Sequence, residues 1–107
     1  MVLSNFEISV SNAAKTDISN YVLYIEHEYG LPATAVKIYD ELIDKIYSIA
    51  QNPFQYPVRT DFWYSKFGNE IRRVNYKSRA IIYAVENNTI KIHRIVAQSE
   101  ISPLCSA

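Results

Sequence analysis

Cysteine, histidine, glycine and proline are scarce in this chain of 107 residues, which holds one Cys, two His, two Gly and four Pro. Cys105 has no partner for an internal disulfide, and with His27 and His93 as the only imidazoles no zinc-binding spacing arises. Disulfide scaffolds and zinc fingers are therefore excluded, and Cys105, with no base beside it in sequence, carries no catalytic expectation. So little glycine and proline argues against a disordered or fibrous chain and for one compact domain over 1–107. Long apolar runs are missing too. The longest, Ala80 to Val85, has six residues, whereas a membrane-crossing helix needs roughly 20. The first residues show no basic stretch followed by an apolar block, so the expectation is a soluble, cytoplasmic protein with no membrane contact.

Net charge is also lacking, since eleven cations balance eleven acids. That balance conceals an asymmetry. Up to Pro57 three lysines face seven acids, a net −4, and beyond it eight cations face four acids, a net +4. The basic half is rich in arginine, whose planar fork of donors suits phosphates or an acidic peptide equally.

What is present is periodicity. Phe6, Ile8 and Val10 alternate with polar residues, which predicts a strand with one buried face. Ala14, Ile18, Val22, Ile25 and Tyr29 then recur every three or four residues, predicting a helix over about 12–29. Ser11 or Thr16 would cap it and Gly30 would end it in a left-handed conformation. Pro32 suits the first turn of a second helix running to about Gln51. Its polar stripe, Thr34, Lys37, Glu41, Asp44, Ser48 and Gln51, leaves an apolar arc wide enough for two neighbours, helix one and a sheet.

Asn52 to Pro57 breaks that helix, and the stretch to Asn69, with Phe62, Trp63, Tyr64 and Phe67, has no clean period and reads as a loop. Ile71 to Tyr76 and Arg79 to Glu86 read as strands, the second apolar enough to be buried on both faces. Asn87-Asn88 tolerates positive φ, so Thr89 to Val96 should return as a hairpin partner. The expected class is α+β: a two-helix hairpin packed on a small antiparallel sheet, in the order β-α-α-β-β-β. Its far side is expected to be positively charged and free for ligands.

These residues resemble the RelE/ParE superfamily of bacterial toxins from type II toxin-antitoxin modules, also called plasmid stabilisation proteins. The likeness rests on Ala14 with Asp17-Ile18, Tyr24-Ile25, Tyr29-Gly30, Asn52-Pro53, Pro57, Ile71-Arg72, Ile81-Ile82-Tyr83, Ile90, Ile92 and Arg94-Ile95, in that order. It implies a cytosolic toxin that inhibits growth and is neutralised by a cognate antitoxin, with no cofactor and no metal. The assembly is open between a homodimer and a toxin-antitoxin hetero-oligomer. RelE-like members cut messenger RNA on the ribosome; ParE-like members poison DNA gyrase without nuclease chemistry. Cleavage needs a base, an acid and cations for the developing phosphate charge. Just past the last strand the chain reads Ala97-Gln98-Ser99-Glu100, without a cation, and the arginine that relatives carry before Ile-Ile-Tyr falls on Ala80, with Arg79 one position away. In a strand that shift turns the side chain to the other face. The ParE-like reading is therefore favoured.

The alternatives are a ribosome-dependent endoribonuclease using Arg72, Arg73, Tyr83 or Glu100, and a non-toxic interaction module with the same fold. For contacts with target or antitoxin the expected residues are Arg72, Arg73, Lys77, Arg79 and Trp63. Arg94 is expected to form a structural ion pair beside the core, and Lys77 and Arg79 to be solvated at a strand turn.

Overall fold

The computed structural model describes residues 6–101; Cys105 lies outside them. In chain order the elements are β1 (Glu7–Val10), α1 (Asn12–Tyr29), α2 (Pro32–Ile49), a 3-10 turn (Phe62–Phe67), β2 (Arg72–Tyr76), β3 (Arg79–Glu86), β4 (Thr89–Ala97) and a final 3-10 turn (Gln98–Glu100). The order expected from the sequence holds. The sheet, however, is mixed: its strand order is β1-β4-β3-β2, and β1 runs parallel to β4, with Ile8 beside Ile90 and Val10 beside Ile92. The hairpins β2-β3 and β3-β4 are antiparallel as expected. A crossover of two helices returns the chain to the same end of the sheet, and this forces the first strand to lie parallel to its neighbour.

Ser11 caps α1 by accepting from the Ala14 amide at 3.0 Å, and Gly30 closes the helix at φ 65°. The buried face of α1 is Ala14, Ile18, Tyr21 and Ile25. Tyr29, predicted on that face, is 62% exposed. On α2 the buried residues are Ala35, Leu42, Ile46 and Ile49, and Val36, Tyr39 and Tyr47 of the predicted apolar arc remain exposed. The helix is rotated so that its polar stripe meets the sheet edge: the Tyr76 hydroxyl donates to Glu41 at 2.8 Å.

Both helices cover one face of the sheet, burying Val74, Ile81, Tyr83, Ile90, Ile92 and Ile95. One irregularity positions β4. The register slips between Ile82 and Tyr83, which pair with Arg94 and Ile92, so His93 is left without a partner in the ladder. This bulge inverts the alternation, and Ile90, Ile92 and Ile95 all face the helices although their spacing is two and then three. The polar groups freed there are taken up by α1. Ser11 donates its hydroxyl to the His93 carbonyl at 2.8 Å. Asp17 accepts from the Ile95 amide at 2.9 Å and from Arg94 Nε and Nη2 at 2.7 and 2.9 Å. Arg94 thus forms the expected ion pair. Its bidentate bond to Asp17, against the cost of burial, holds the guanidinium even more firmly protonated than usual.

The opposite face is not open. The 3-10 turn Phe62–Phe67 folds across it, and Tyr64, Ile71, Ala80, Ile82, Ala84 and Val96 form a second buried cluster flanked by Trp63, Phe67 and Ile101. The expectation of a free, charged far side fails because the aromatic stretch with no period carries enough apolar surface to cover β3.

Candidate functional site

Alternation along β2 and β3 decides which way each cation points. Val74 and Ile81 face the helices, so Arg72, Tyr76 and Arg79, of the same parity, face them too. Arg72 donates from Nη1 to the carbonyl oxygens of Tyr56 and Phe54, and its guanidinium lies 5.2 Å from the Phe54 ring centroid. It therefore fastens the 52–57 turn and meets carbonyls there, not carboxylates. Arg79 stacks on α1, 4.4 Å from the centroid of Tyr21 and 6.0 Å from that of Tyr24. It is half-buried rather than solvated, and its Nε, buried, finds no acceptor among the described residues. Lys77, exposed at φ 51° in the β2-β3 turn, reaches Glu41 at 4.0 Å.

Of the four cations, Arg73 alone points to the opposite face. Its Nε donates to Asn75 at 2.7 Å, Nη1 to the Tyr64 hydroxyl at 3.1 Å and Nη2 to Gln98 at 3.4 Å. Gln98 is itself held by the carbonyls of Lys77 and Arg79, at 2.6 and 3.3 Å. Three neutral acceptors orient this guanidinium, and no carboxylate pairs with it among the described residues. Beside it Trp63 stands edge-on to Tyr64 at 5.1 Å, with Lys66 Nζ 4.1 Å from its centroid. Trp63 is half-buried against the second cluster, while Phe62 is 78% exposed.

The remaining candidates stand apart. Tyr83 is fully buried on the helix face and donates its hydroxyl to the Pro53 carbonyl at 2.7 Å. Burial pushes its pKa up to about 12, with Arg72 drawing it down and Tyr56 raising it. A phenol so enclosed has neither access to a substrate nor a tendency to ionise. Glu100 is exposed in the last 3-10 turn. The outer face of β3 offers Ala80, Ile82 and Ala84 and, at its far end, the exposed Glu86, which pairs with Lys91 at 3.0 Å. His93, stacked on Phe67 at 5.7 Å, has its pKa lowered by burial, with Glu86 opposing and Lys91 adding to the effect. Among the described residues no three His, Cys, Asp or Glu side chains are grouped to hold a metal ion, and no helix is long and apolar enough to cross a membrane.

Sequence reasoning missed the partners of these cations. Tyr64 and Gln98 hold Arg73, and Tyr21 with Tyr24 forms the platform under Arg79. Tyr21 was within reach, because it lies three residues after Ile18 and four before Ile25 on the buried stripe.

Comparison with known proteins agrees with this architecture. No curated protein matches the chain. Among solved structures, one described as a chromosomal ParDE TA system from P. aeruginosa superposes with a TM-score of 0.72 at 15% identity, covering 89% of this chain and 98% of that one. At that identity the likeness speaks for the fold. The sequence profile of the family described as "ParE toxin of type II toxin-antitoxin system, parDE" matches residues 8–102. With nearly the whole domain matched, this chain belongs to the ParE toxin family of type II toxin-antitoxin systems.

Proposed function

We propose that this toxin acts by binding its target rather than by cutting RNA, that the target is an essential enzyme such as DNA gyrase, and that a cognate antitoxin neutralises it in the cytoplasm. One observation carries the first point. The outer face of β3, where the nuclease reading needs reacting groups, is an apolar layer of Ala80, Ile82 and Ala84 beneath a 3-10 turn. Tyr83, the phenol that matches the family position, is tied to Pro53 on the opposite side. General acid-base catalysis requires groups within hydrogen-bond reach of the moving proton, and the Tyr83 phenol is enclosed away from any substrate.

For the contact surface the reading favours Arg73 with Trp63. Arg73 is held in place by neutral partners, so its charge remains available to an anionic or carbonyl-rich partner surface. Arg72 serves mainly to hold the 52–57 turn, and Lys77 and Arg79 belong to the other side of the domain.

Inducing this chain alone tests the proposal. The expected outcome is growth arrest with DNA-damage signalling and intact transcripts, together with inhibition of supercoiling by purified gyrase. Codon-positioned cuts in messages, mapped by primer extension, would overturn it. Growth unaffected by the folded protein would leave a non-toxic interaction module.

A further inference from the structure

We propose that His93 is an acid-operated latch for the 3-10 turn Phe62–Phe67: protonating the imidazole frees the Phe67 end of the turn from the sheet and uncovers the apolar floor of β3. The latch stands whichever target the toxin has.

The turn is a flap with few fastenings. Its own bonds are local, from the Tyr64 amide to the Asp61 carbonyl at 3.0 Å and from the Gly68 amide to the Ser65 carbonyl at 3.2 Å, and six residues are too few to hold a helix by themselves. In its middle the turn is tied to the sheet by the buried Tyr64, whose hydroxyl accepts from Arg73 at 3.1 Å. At its end it is tied by Phe67, which stacks on His93 with ring centroids 5.7 Å and planes 22° apart. Trp63 spans the two, 5.1 Å from Tyr64 and 5.5 Å from Phe67. Gly68 follows at φ 116°, with nothing within 4 Å of the place a Cβ would take, so the chain has room to swing there. Beneath lie Ala80, Ile82, Ala84 and Val96.

His93 meets this stack at the β4 bulge, where the ladder leaves it unpaired. Its Nε2 is buried without a hydrogen-bond partner among the described residues. The neutral ring can leave Nε2 bare, but the imidazolium carries a proton on both nitrogens, and a charged donor enclosed without an acceptor is costly. The surrounding charges add to that cost. From the turn, Lys66 Nζ lies 5.5 Å from the Phe67 centroid; on β4, Lys91 opposes a second proton; on β3, Glu86 favours it but is already paired with Lys91 at 3.0 Å. On β1 the acid of the outer face is Glu7, level with Thr89 and so four positions along the strand from His93. The neighbouring Arg94 turns to α1, where Asp17 neutralises it. Stacking a cation on Phe67 offsets little, because Lys66 already shares that ring.

Burial, the largest influence, holds the imidazole below its ordinary 6.5 while the turn is closed. Release lets water reach Nε2 and restores the ordinary value, so acid favours the released form, and the opening constant rises up to about tenfold between about pH 7.5 and about pH 5.5. Trp63 rides on the turn, so the contact surface proposed for the target loses its shape under the same conditions.

The test follows the whole chain over that pH range. Trp63, its one tryptophan, should shift its emission to the red with a midpoint below pH 6.5 while far-UV circular dichroism holds. Amide-exchange protection factors at Tyr64 and Gly68 should fall up to about tenfold, with those of α1 unchanged. His93→Gln should abolish the emission change, and His27→Gln, at the exposed imidazole of α1, should leave it intact. Phe67→Ala should show the released emission already at neutral pH. If His93→Gln loses its thermal transition, the wild-type imidazole resonances decide, since His93 and the Gly68 amide must titrate with one midpoint. Constant Trp63 emission, a shift that survives in His93→Gln, separate midpoints for His93 and Gly68, or circular dichroism falling in step with the emission would overturn the inference.

Discussion

The two faces of the sheet are built differently. The helix face buries fourteen residues and is tied by named polar bonds, Asp17 to Arg94, Tyr76 to Glu41 and Tyr83 to Pro53. The outer face buries six, under a single 3-10 turn, and its polar groups form an open-ended network around Arg73. The titratable groups divide along the same line. Tyr83 and Tyr76 on the helix face are shifted upward, Tyr83 by burial and Tyr76 by burial together with its bond to Glu41. His93 on the outer face is shifted downward by burial. One face is therefore the permanent core and the other the adjustable surface, and alkali should loosen the first and acid the second.

Adjacent substitutions on β3 give the largest test. Ile81→Ala removes a fully buried side chain from the helix face and should cost about 4 kcal/mol, because two helices fixed to the sheet cannot settle into the gap. Ile82→Ala, equally buried on the outer face, should cost about 2 to 3 kcal/mol, because a lone 3-10 turn can collapse onto it. Urea midpoints compare them, and equal losses would erase the distinction. Next comes Asp17→Ala, which strands the Ile95 amide and Arg94 and should cost about 2 to 3 kcal/mol by the same measurement, the half-exposed guanidinium recovering part of its solvation.

Smaller effects separate the faces by pH. A phenol whose pKa rises from 10 to about 12 on folding holds its proton more tightly in the native state. Its contribution is complete below pH 10 and is lost as pH climbs towards 12. Tyr83→Phe should flatten that alkaline fall in melting temperature while costing about 1 kcal/mol at neutral pH through the unpaired Pro53 carbonyl. For His93 the sign reverses. Its pKa lies below the ordinary 6.5 in the native state, so stability is present above that pH and declines as pH falls through it, and His93→Gln should flatten the acid limb. Least of all in stability, Arg73→Ala should cost less than about 1 kcal/mol of unfolding free energy in urea yet relieve growth inhibition. Full toxicity in that folded variant would move the contact surface elsewhere.

Much of the fold was legible because periodicity reports burial. The bounds of α1 and β3 and the Asn87-Asn88 turn, with Asn87 at φ 55°, stand where the spacing put them. Other features left no periodic trace. Alternation in Phe6 to Val10 announces a strand but not the direction of its neighbour. The bulge at His93 is visible only as a break in the isoleucine spacing from two to three between Ile92 and Ile95. The aromatic stretch from Phe62 to Phe67 gives no hint of which face it covers. Among the candidates, alternation alone separates Arg72 from Arg73, but that Arg72 would meet the carbonyls of Phe54 and Tyr56 depended on a turn the chain reaches only after α2.

The pairing of Ile8 with Ile90 also sets a schedule. Eighty-two positions separate them, and a ribosome adding 5–20 residues per second takes roughly 4 to 16 s to cover that distance. Throughout that interval β1 waits without its neighbour, and Ser11 and Asp17 lack the backbone groups of β4 that they will bind. The contacts that seat α1 on the sheet therefore form only once β4 has been made.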